Sequence, residues 1–277
     1  MKQIYLHGFR WIACLLLTLV LDSCEKFEFS PHEVLIRGED KNLNQMYARQ
    51  IQALGLQPGD TIRIALISDT QRFYDETEDV VKAINTRTGQ PGKRIHFALH
   101  GGDITDFGLA DEYRWIHDRL KKLKMPYLSV IGNHDCVGNG KVIFERKYGP
   151  HDYSVTIARN RFVFLNTNSL EYTRDIPPNL NYLQSALQDG GNYDNAFVVA
   201  HVPPFDQDFD KTKEAGFAQL IRQYQVKYTL LGHQHGHRLH QPYGDGQKYL
   251  VIGSVENRVY VVMTIVGQQV SYEVVNF

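Results

Sequence analysis

Five short polar clusters carry residue types that bind divalent cations, and each one follows an apolar run. They are Ser68-Asp69-Thr70-Gln71 after IALI, Gly102-Asp103 after FAL, Gly132-Asn133-His134-Asp135 after YLSVI, His201 after FVVA, and Gly232-His233-Gln234-His235 after YTLL. In α/β sheets the loops at strand C-termini line the ligand crevice, so the repetition predicts that all five converge on one rim. Carboxylate and amide oxygens together with imidazole nitrogens are ligands for Zn, Mn or Fe. Thiolates are missing from the clusters, which excludes a cysteine-rich structural zinc site. Two cations about 3.5–4 Å apart activate a bridging water to hydroxide and neutralise the attacking and leaving oxygens of an in-line phosphoryl displacement. Two Asp ligands and one hydroxide leave a pair of dications with net positive charge, which favours an anionic phosphate ester as substrate.

The elements that would position these clusters are also legible. Leu43, Met46, Tyr47, Ile51 and Leu54 give the stretch from Asn42 to Leu54 the spacing of an amphipathic helix, closed by Gly55 and Pro58-Gly59. Strand-like runs at Ile62 to Ile67, Ile95 to Leu99 and Tyr127 to Ile131 then alternate with helical stretches near Glu76 to Ile84 and Ala110 to Leu123. That alternation indicates βαβ units and a sheet buried on both faces. Further strands are expected at Tyr153 to Ile157, Arg161 to Asn166, Ala196 to Ala200, Tyr228 to Leu231 and Tyr249 to Ile252, with helices near Leu180 to Leu187 and Phe217 to Tyr224. Val259 to Ile265 and Val270 to Val275 read as a closing antiparallel pair. The whole is an α/β chain compatible with two packed sheets flanked by helices.

In order and content the clusters resemble the pattern D-x-H, G-D, G-N-H-D/E, an isolated His and G-H-x-H of the calcineurin-like metallophosphoesterases. The resemblance runs from about Ile62 to His235 and implies a four-layer αββα sandwich of two mixed sheets. It also implies that Asp69 and His235 bind a first metal, that Asp103 bridges, and that Asn133, His201 and His233 bind a second. His134 would then be the general acid or transition-state stabiliser, with Asp135 orienting its ring. Gln71 stands where that pattern has a histidine ligand. An amide oxygen is a harder, neutral and weaker donor than imidazole, which shifts the first site toward Mn or Mg. A glutamine there is similar to a subgroup of manganese-dependent ADP-ribose and CDP-alcohol diphosphatases. Besides ligating, Gln71 could hydrogen-bond to a ligand beside a partly empty site.

Arg72, Tyr74, Tyr153, Asn168, Arg174 and His237 are candidate substrate contacts, because phosphate and base recognition use Arg and aromatic rings and these residues lie near the clusters. His237 and His240 also read as members of a solvent-exposed loop. Asp106 reads as a helix cap, a partner of a ligand or a substrate contact. His96 and His100 flank an apolar strand and read as core or loop residues.

With 277 residues, 43% of them hydrophobic, the chain is long enough for one large α/β domain. A formal net charge of -1 removes the general electrostatic case for nucleic acid, and a small phosphorylated substrate is expected instead. Residues 1–24 read as a signal peptide: Lys2 and Arg10 precede an apolar stretch from Trp11 to Leu21. It ends in Leu21-Asp22-Ser23-Cys24, which resembles a bacterial lipobox with Cys24 as the acylated residue. A plain secretory signal or an uncleaved anchor is the alternative. Residues 25–40 would form a tether and residues 41–277 the metallophosphoesterase domain, lipid-anchored in a bacterial cell envelope. A function of another class stays open: a lipid-anchored protein that captures a phosphorylated ligand at a weakened metal site without turnover.

Overall fold

A computed structural model describes residues 33–34, 41–188 and 192–277. The expected signal peptide, Cys24 and the expected tether lie outside the described residues, apart from Glu33 and Val34. In chain order the elements are α1 (Leu43–Gln52), β1 (Thr61–Ile67), α2 (Tyr74–Thr88), β2 (Phe97–His100), α3 (Ala110–Leu120), β3 (Tyr127–Ser129) and α4 (Gly140–Tyr148). They continue with β4 (Tyr153–Ile157), β5 (Asn160–Phe164), α5 (Leu180–Leu187), β6 (Asn195–Val199), α6 (Lys211–Gln223) and β7 (Tyr228–Leu231). β8 (Arg238–His240), β9 (Tyr249–Val251), β10 (Val259–Val266) and β11 (Gln269–Asn276) complete them.

One sheet has the order β11-β10-β1-β2-β3 and the other β4-β5-β6-β7-β9-β8. β1, β2 and β3 run parallel, as do β5, β6, β7 and β9. β10, β11, β4 and β8 pair antiparallel at the flanks. The period-2 alternation of a strand explains why the central strands are apolar throughout. In β1, Ile62, Ile64 and Leu66 enter the core between the sheets, where Phe162, Phe164, Phe197 and Leu230 meet them. Ala65 and Ile67 face the other way, into a layer built with Val80 and Ile84 of α2 and Ile116 of α3. Val163, Val198 and Leu231 likewise leave the second sheet to pack on Leu183 of α5 and Phe217 and Ile221 of α6. These three apolar layers make the four-layer αββα sandwich of the sequence-based expectation.

α1 closes an edge. Leu43 joins the outer layer and Ile51 the inner one. The buried Asn44 amide is held by both backbone groups of Ser129 in β3, donating at 3.0 Å and accepting at 2.9 Å. An edge strand that would otherwise offer a row of open groups is thereby covered. Met46 and Leu54, expected on the apolar face, are instead 38% and 36% exposed, so the buried stripe is narrower than the spacing suggested. The strand expected at Ile95 to Leu99 starts at Phe97 and ends at His100, and the helix expected from Phe217 starts at Lys211, where Asp210 accepts the Thr212 N–H as its N-cap. α4 and the three-residue β8 were not anticipated.

Candidate metal centre

The strand ends deliver the five clusters to one place because the parallel strands of both sheets end on the same side. The Asp69 N–H donates to the Gly102 carbonyl at 3.0 Å, and those of Thr70 and Gln71 donate to the Asp103 carbonyl at 3.0 and 3.1 Å. The loops after β1 and β2 are thus laced together. The loop after β3 approaches closely enough that a Cβ on Gly132 would lie 2.1 Å from the Asp103 nitrogen, which requires glycine there. Asp69, Asp103 and His233 all have positive φ, at 54°, 55° and 68°. Such backbone is unfavourable for residues with a Cβ and clusters at functional sites.

Around this frame the polar atoms converge. The His201 Nε2 lies 3.0 Å from the Asn133 Oδ1 and 3.2 Å from the Asp103 Oδ2. The His233 Nδ1 lies 3.1 Å from the same Asn133 oxygen, and the His235 Nε2 is 3.9 Å from the Asp69 Oδ1. Ligand atoms of Asp69, Asp103 and His201 fall within 4.8 Å of one another, all three residues being buried. Two buried oxygens, the Asp69 Oδ2 and the Gln71 Oε1, have no hydrogen-bond partner. Orphaned buried oxygens cost free energy unless a donor or a cation meets them, so this donor set fits divalent metal.

The electrostatics agree. Burial pushes the Asp69 carboxyl up to about 6; Asp103's charge adds to the rise while His201 opposes it. Burial alone would lower His201, but the charge and hydrogen bond of Asp103, with Asp69 beyond, carry it up to about 9. The buried carboxylates favour positive charge at this point, and a metal bound there would compete with the imidazole proton for it. His100 behaves oppositely: burial and the neighbouring His201 bring it down to about 3. It is a neutral bracket, accepting the Gly102 N–H at 3.2 Å and meeting the Thr70 hydroxyl at 2.9 Å, as expected of a core histidine.

His134 stands at the rim, 37% exposed. Its backbone N–H donates to the Asp103 Oδ1 at 2.9 Å, and its Nδ1–H donates to the Asp106 carbonyl at 2.9 Å, with the Asp106 carboxylate 3.4 Å away. The role expected of Asp135 therefore needs correction. Its two oxygens accept the N–H groups of Gly132, Ile104 and Thr105 and the Thr105 hydroxyl, all between 2.8 and 3.1 Å, and it fastens the loops together instead of orienting His134. Consecutive side chains on a 3₁₀ turn point in different directions, and the turn spans His134–Cys136. Asp106, from the loop after β2, takes the place beside the ring.

Three expected substrate contacts are likewise scaffold. The Tyr153 hydroxyl donates to the Ser129 carbonyl at 2.8 Å and its ring stacks on Phe164 at 4.3 Å. The Asn168 amide donates to the Ile131 carbonyl and to the Asn166 Oδ1, at 3.0 and 2.9 Å, tying down the end of β3. The His237 Nδ1–H donates to the Ile252 carbonyl at 3.2 Å, and the ring packs edge-on against Tyr272. Arg72 stands at the centre's rim, 4.0 Å from the Asp106 carboxylate, while the Tyr74 ring packs against Trp115 and Arg119 of α3. Sequence reasoning missed three carboxylates that face the histidines: Asp206, Asp208 and Glu256. The acidic run after His201 is a weak signal for the first two; Glu256 has none.

A four-layer α/β sandwich with this oxygen and nitrogen donor set at its strand ends defines the metallophosphoesterase class. The chain belongs to the calcineurin-like phosphoesterase family, whose model matches residues 62–237. Among curated proteins it is similar to a probable cyclic nucleotide phosphodiesterase of Xenorhabdus bovienii, with 24% identity over 52% of this chain and 63% of the relative. Another of the same description, from Coxiella burnetii, is 29% identical over 48% of this chain and 58% of the relative. The chain thus spans about three fifths of the length of these relatives. Among solved structures, the fold is like GAP50, the anchor in the inner membrane complex of Plasmodium, with TM-score 0.61 and 15% identity over 78% of this chain and 84% of that one. It is equally like the purple acid phosphatase PPD1 of yellow lupin, with TM-score 0.61 and 12% identity over 79% and 52%.

Proposed function

We propose that the chain hydrolyses a phosphodiester at a centre that holds two divalent cations. The observation that carries this reading is the pair of partnerless buried oxygens, Asp69 Oδ2 and Gln71 Oε1, beside the focus of Asn133, His201 and His233. Asp69, Gln71 and His235 would hold one cation, Asn133, His201 and His233 the other, with Asp103 shared. Gln71 favours manganese over softer metals. Bound there, the cations supply charge for the phosphoryl oxygens and a nucleophile from water at neutral pH.

The protein's own groups do the rest. The Asp103 Oδ1 and the His134 N–H fix the rim histidine relative to the shared carboxylate. With Nδ1–H committed to Asp106, His134 keeps Nε2 to carry the proton that the departing alcohol takes up. Asp106, Asp206 and Asp208 around the centre raise the energy of a second negative charge on the substrate, favouring a monoanionic diester over a dianionic monoester. The names carried by the curated relatives point the same way.

Detergent-solubilised full chain loaded with manganese is expected to release nitrophenol faster from bis-p-nitrophenyl phosphate than from p-nitrophenyl phosphate. The reverse order would overturn the preference for diesters. No nitrophenol from either would overturn turnover itself and leave ligand capture. The resemblance of Leu21-Asp22-Ser23-Cys24 to a lipobox supports anchorage to a membrane surface of a bacterial envelope through Cys24; palmitate labelling lost in C24A is the expected result, and equal labelling would contradict it.

A further inference from the structure

Both histidines of the Gly232-His233-Gln234-His235 cluster have a carboxylate behind the ring nitrogen that points away from the centre. The His235 Nε2 faces Asp69, while its Nδ1 lies 3.3 Å from the Glu256 Oε2. The His233 Nδ1 faces Asn133, while its Nε2 lies 3.3 Å from the Asp208 Oδ2. Asp206 is farther, at 3.7 Å, and is already engaged: one oxygen accepts the Asp208 N–H and the other the Gln234 amide. For His233 the anionic Asp208 oxygen competes for the imidazole proton better than the Asn133 amide oxygen does, and for His235, which has a carboxylate on each side, Glu256 is the nearer at 3.3 Å against 3.9 Å. We infer that Glu256 and Asp208 are positioning residues that hold His235 and His233 in the tautomers whose inward nitrogens are free to bind metal. The inference rests on the two-cation reading above.

The surroundings of Glu256 support a built device. It sits on the turn Val255–Asn257 between β9 and β10, and that turn grips His235 from several sides. The Ser254 N–H and the Asn257 amide both donate to the His235 carbonyl, at 2.9 and 2.8 Å. The Ser254 hydroxyl donates to the Asp69 carbonyl at 3.1 Å, and the Val255 N–H to the Ser68 carbonyl at 3.3 Å. One short turn therefore braces two ligands of the same cation, the one for which Gln71 is the weak donor. A carboxylate that shares the imidazole proton raises the basicity of the ring's other nitrogen. Glu256 thus returns to the first site some of the donor strength that glutamine in place of histidine withholds.

The test is manganese binding to EDTA-stripped, detergent-solubilised full chain, read by the electron paramagnetic resonance signal of free Mn(II), with thermal melts to confirm folding. Wild type should take up two equivalents. E256A should weaken one of them about 10- to 100-fold and D208A the other. E256Q, whose amide oxygen still accepts the Nδ1–H, should recover part of the loss, and Q71H combined with E256A should recover most of it. Two equivalents in wild type with unchanged affinity in both alanine variants would overturn the inference alone. So would a third equivalent in wild type that D208A removes, which would make Asp208 a ligand. No bound manganese in wild type would overturn the two-cation reading and the inference with it.

Discussion

At the residue scale, the centre divides labour between groups that hold charge and groups that hold geometry. His134→Ala should lower turnover by about 10²- to 10⁴-fold, the range for loss of a positioned general acid, while leaving metal content near that of wild type. Asp103→Asn should lower both, because its carboxylate faces His201 and His134 together. Metal analysis and rates on the same preparations separate the two, and an unchanged rate in either variant contradicts its role. Protonation gives a second prediction. His201 keeps its proton up to about 9 in the metal-free centre, so cation binding below that pH must expel it. Apparent affinity should therefore rise about tenfold per pH unit between 6 and 9, and more steeply below 6, where Asp69 is protonated too. Affinity independent of pH across that range would mean that His201 does not ligate. The ligand types were legible in sequence because they follow strand ends. Of their partners, Asp106 could be read only as one of several possible roles, and Asp208 and Glu256 not at all, since they meet the histidines only through tertiary folding.

At the element scale, the loops matter through how closely they approach. Gly132→Ala places a methyl group against the Asp103 backbone, which has no rotamer with which to yield. The expected loss is on the order of 2–3 kcal/mol of stability together with loss of bound metal; a stable, metal-replete variant would show that the loops tolerate separation. Asn44→Ala should behave differently. It leaves the Ser129 N–H without its partner, at about 1–3 kcal/mol, while the Ser129 carbonyl keeps the Tyr153 hydroxyl, and the change lies on the edge-covering helix α1, so metal binding should persist. The central strands could be read in advance because burial on both faces makes them continuously apolar. α4 was missed although Ile143, Phe144, Lys147 and Tyr148 are buried along one side, because it begins at Gly140 with no side-chain cap to announce it. β8 is three residues with an exposed start, too short for any periodicity. Asp135 was misjudged because adjacency along the chain suggested adjacency of side chains, which a helical turn does not provide.

At the scale of the whole molecule, two sheets contribute to one centre: Asp69, Gln71, Asp103 and Asn133 come from the loops of the first, His201, His233 and His235 from those of the second. Cations that join them should stabilise the sandwich as a unit. Manganese at about a hundred times its dissociation constant should add roughly 2.7 kcal/mol per site, seen as a rise in Tm that EDTA reverses. An identical Tm with and without metal would argue that the cluster does not bridge the sheets. The most direct measurement is anomalous scattering from crystals grown with manganese. Two peaks about 3.5–4 Å apart, flanking the Asp103 carboxylate with Gln71 against one and Asn133 against the other, are the expected result. A single peak, or none within reach of His201 and His233, would contradict the account.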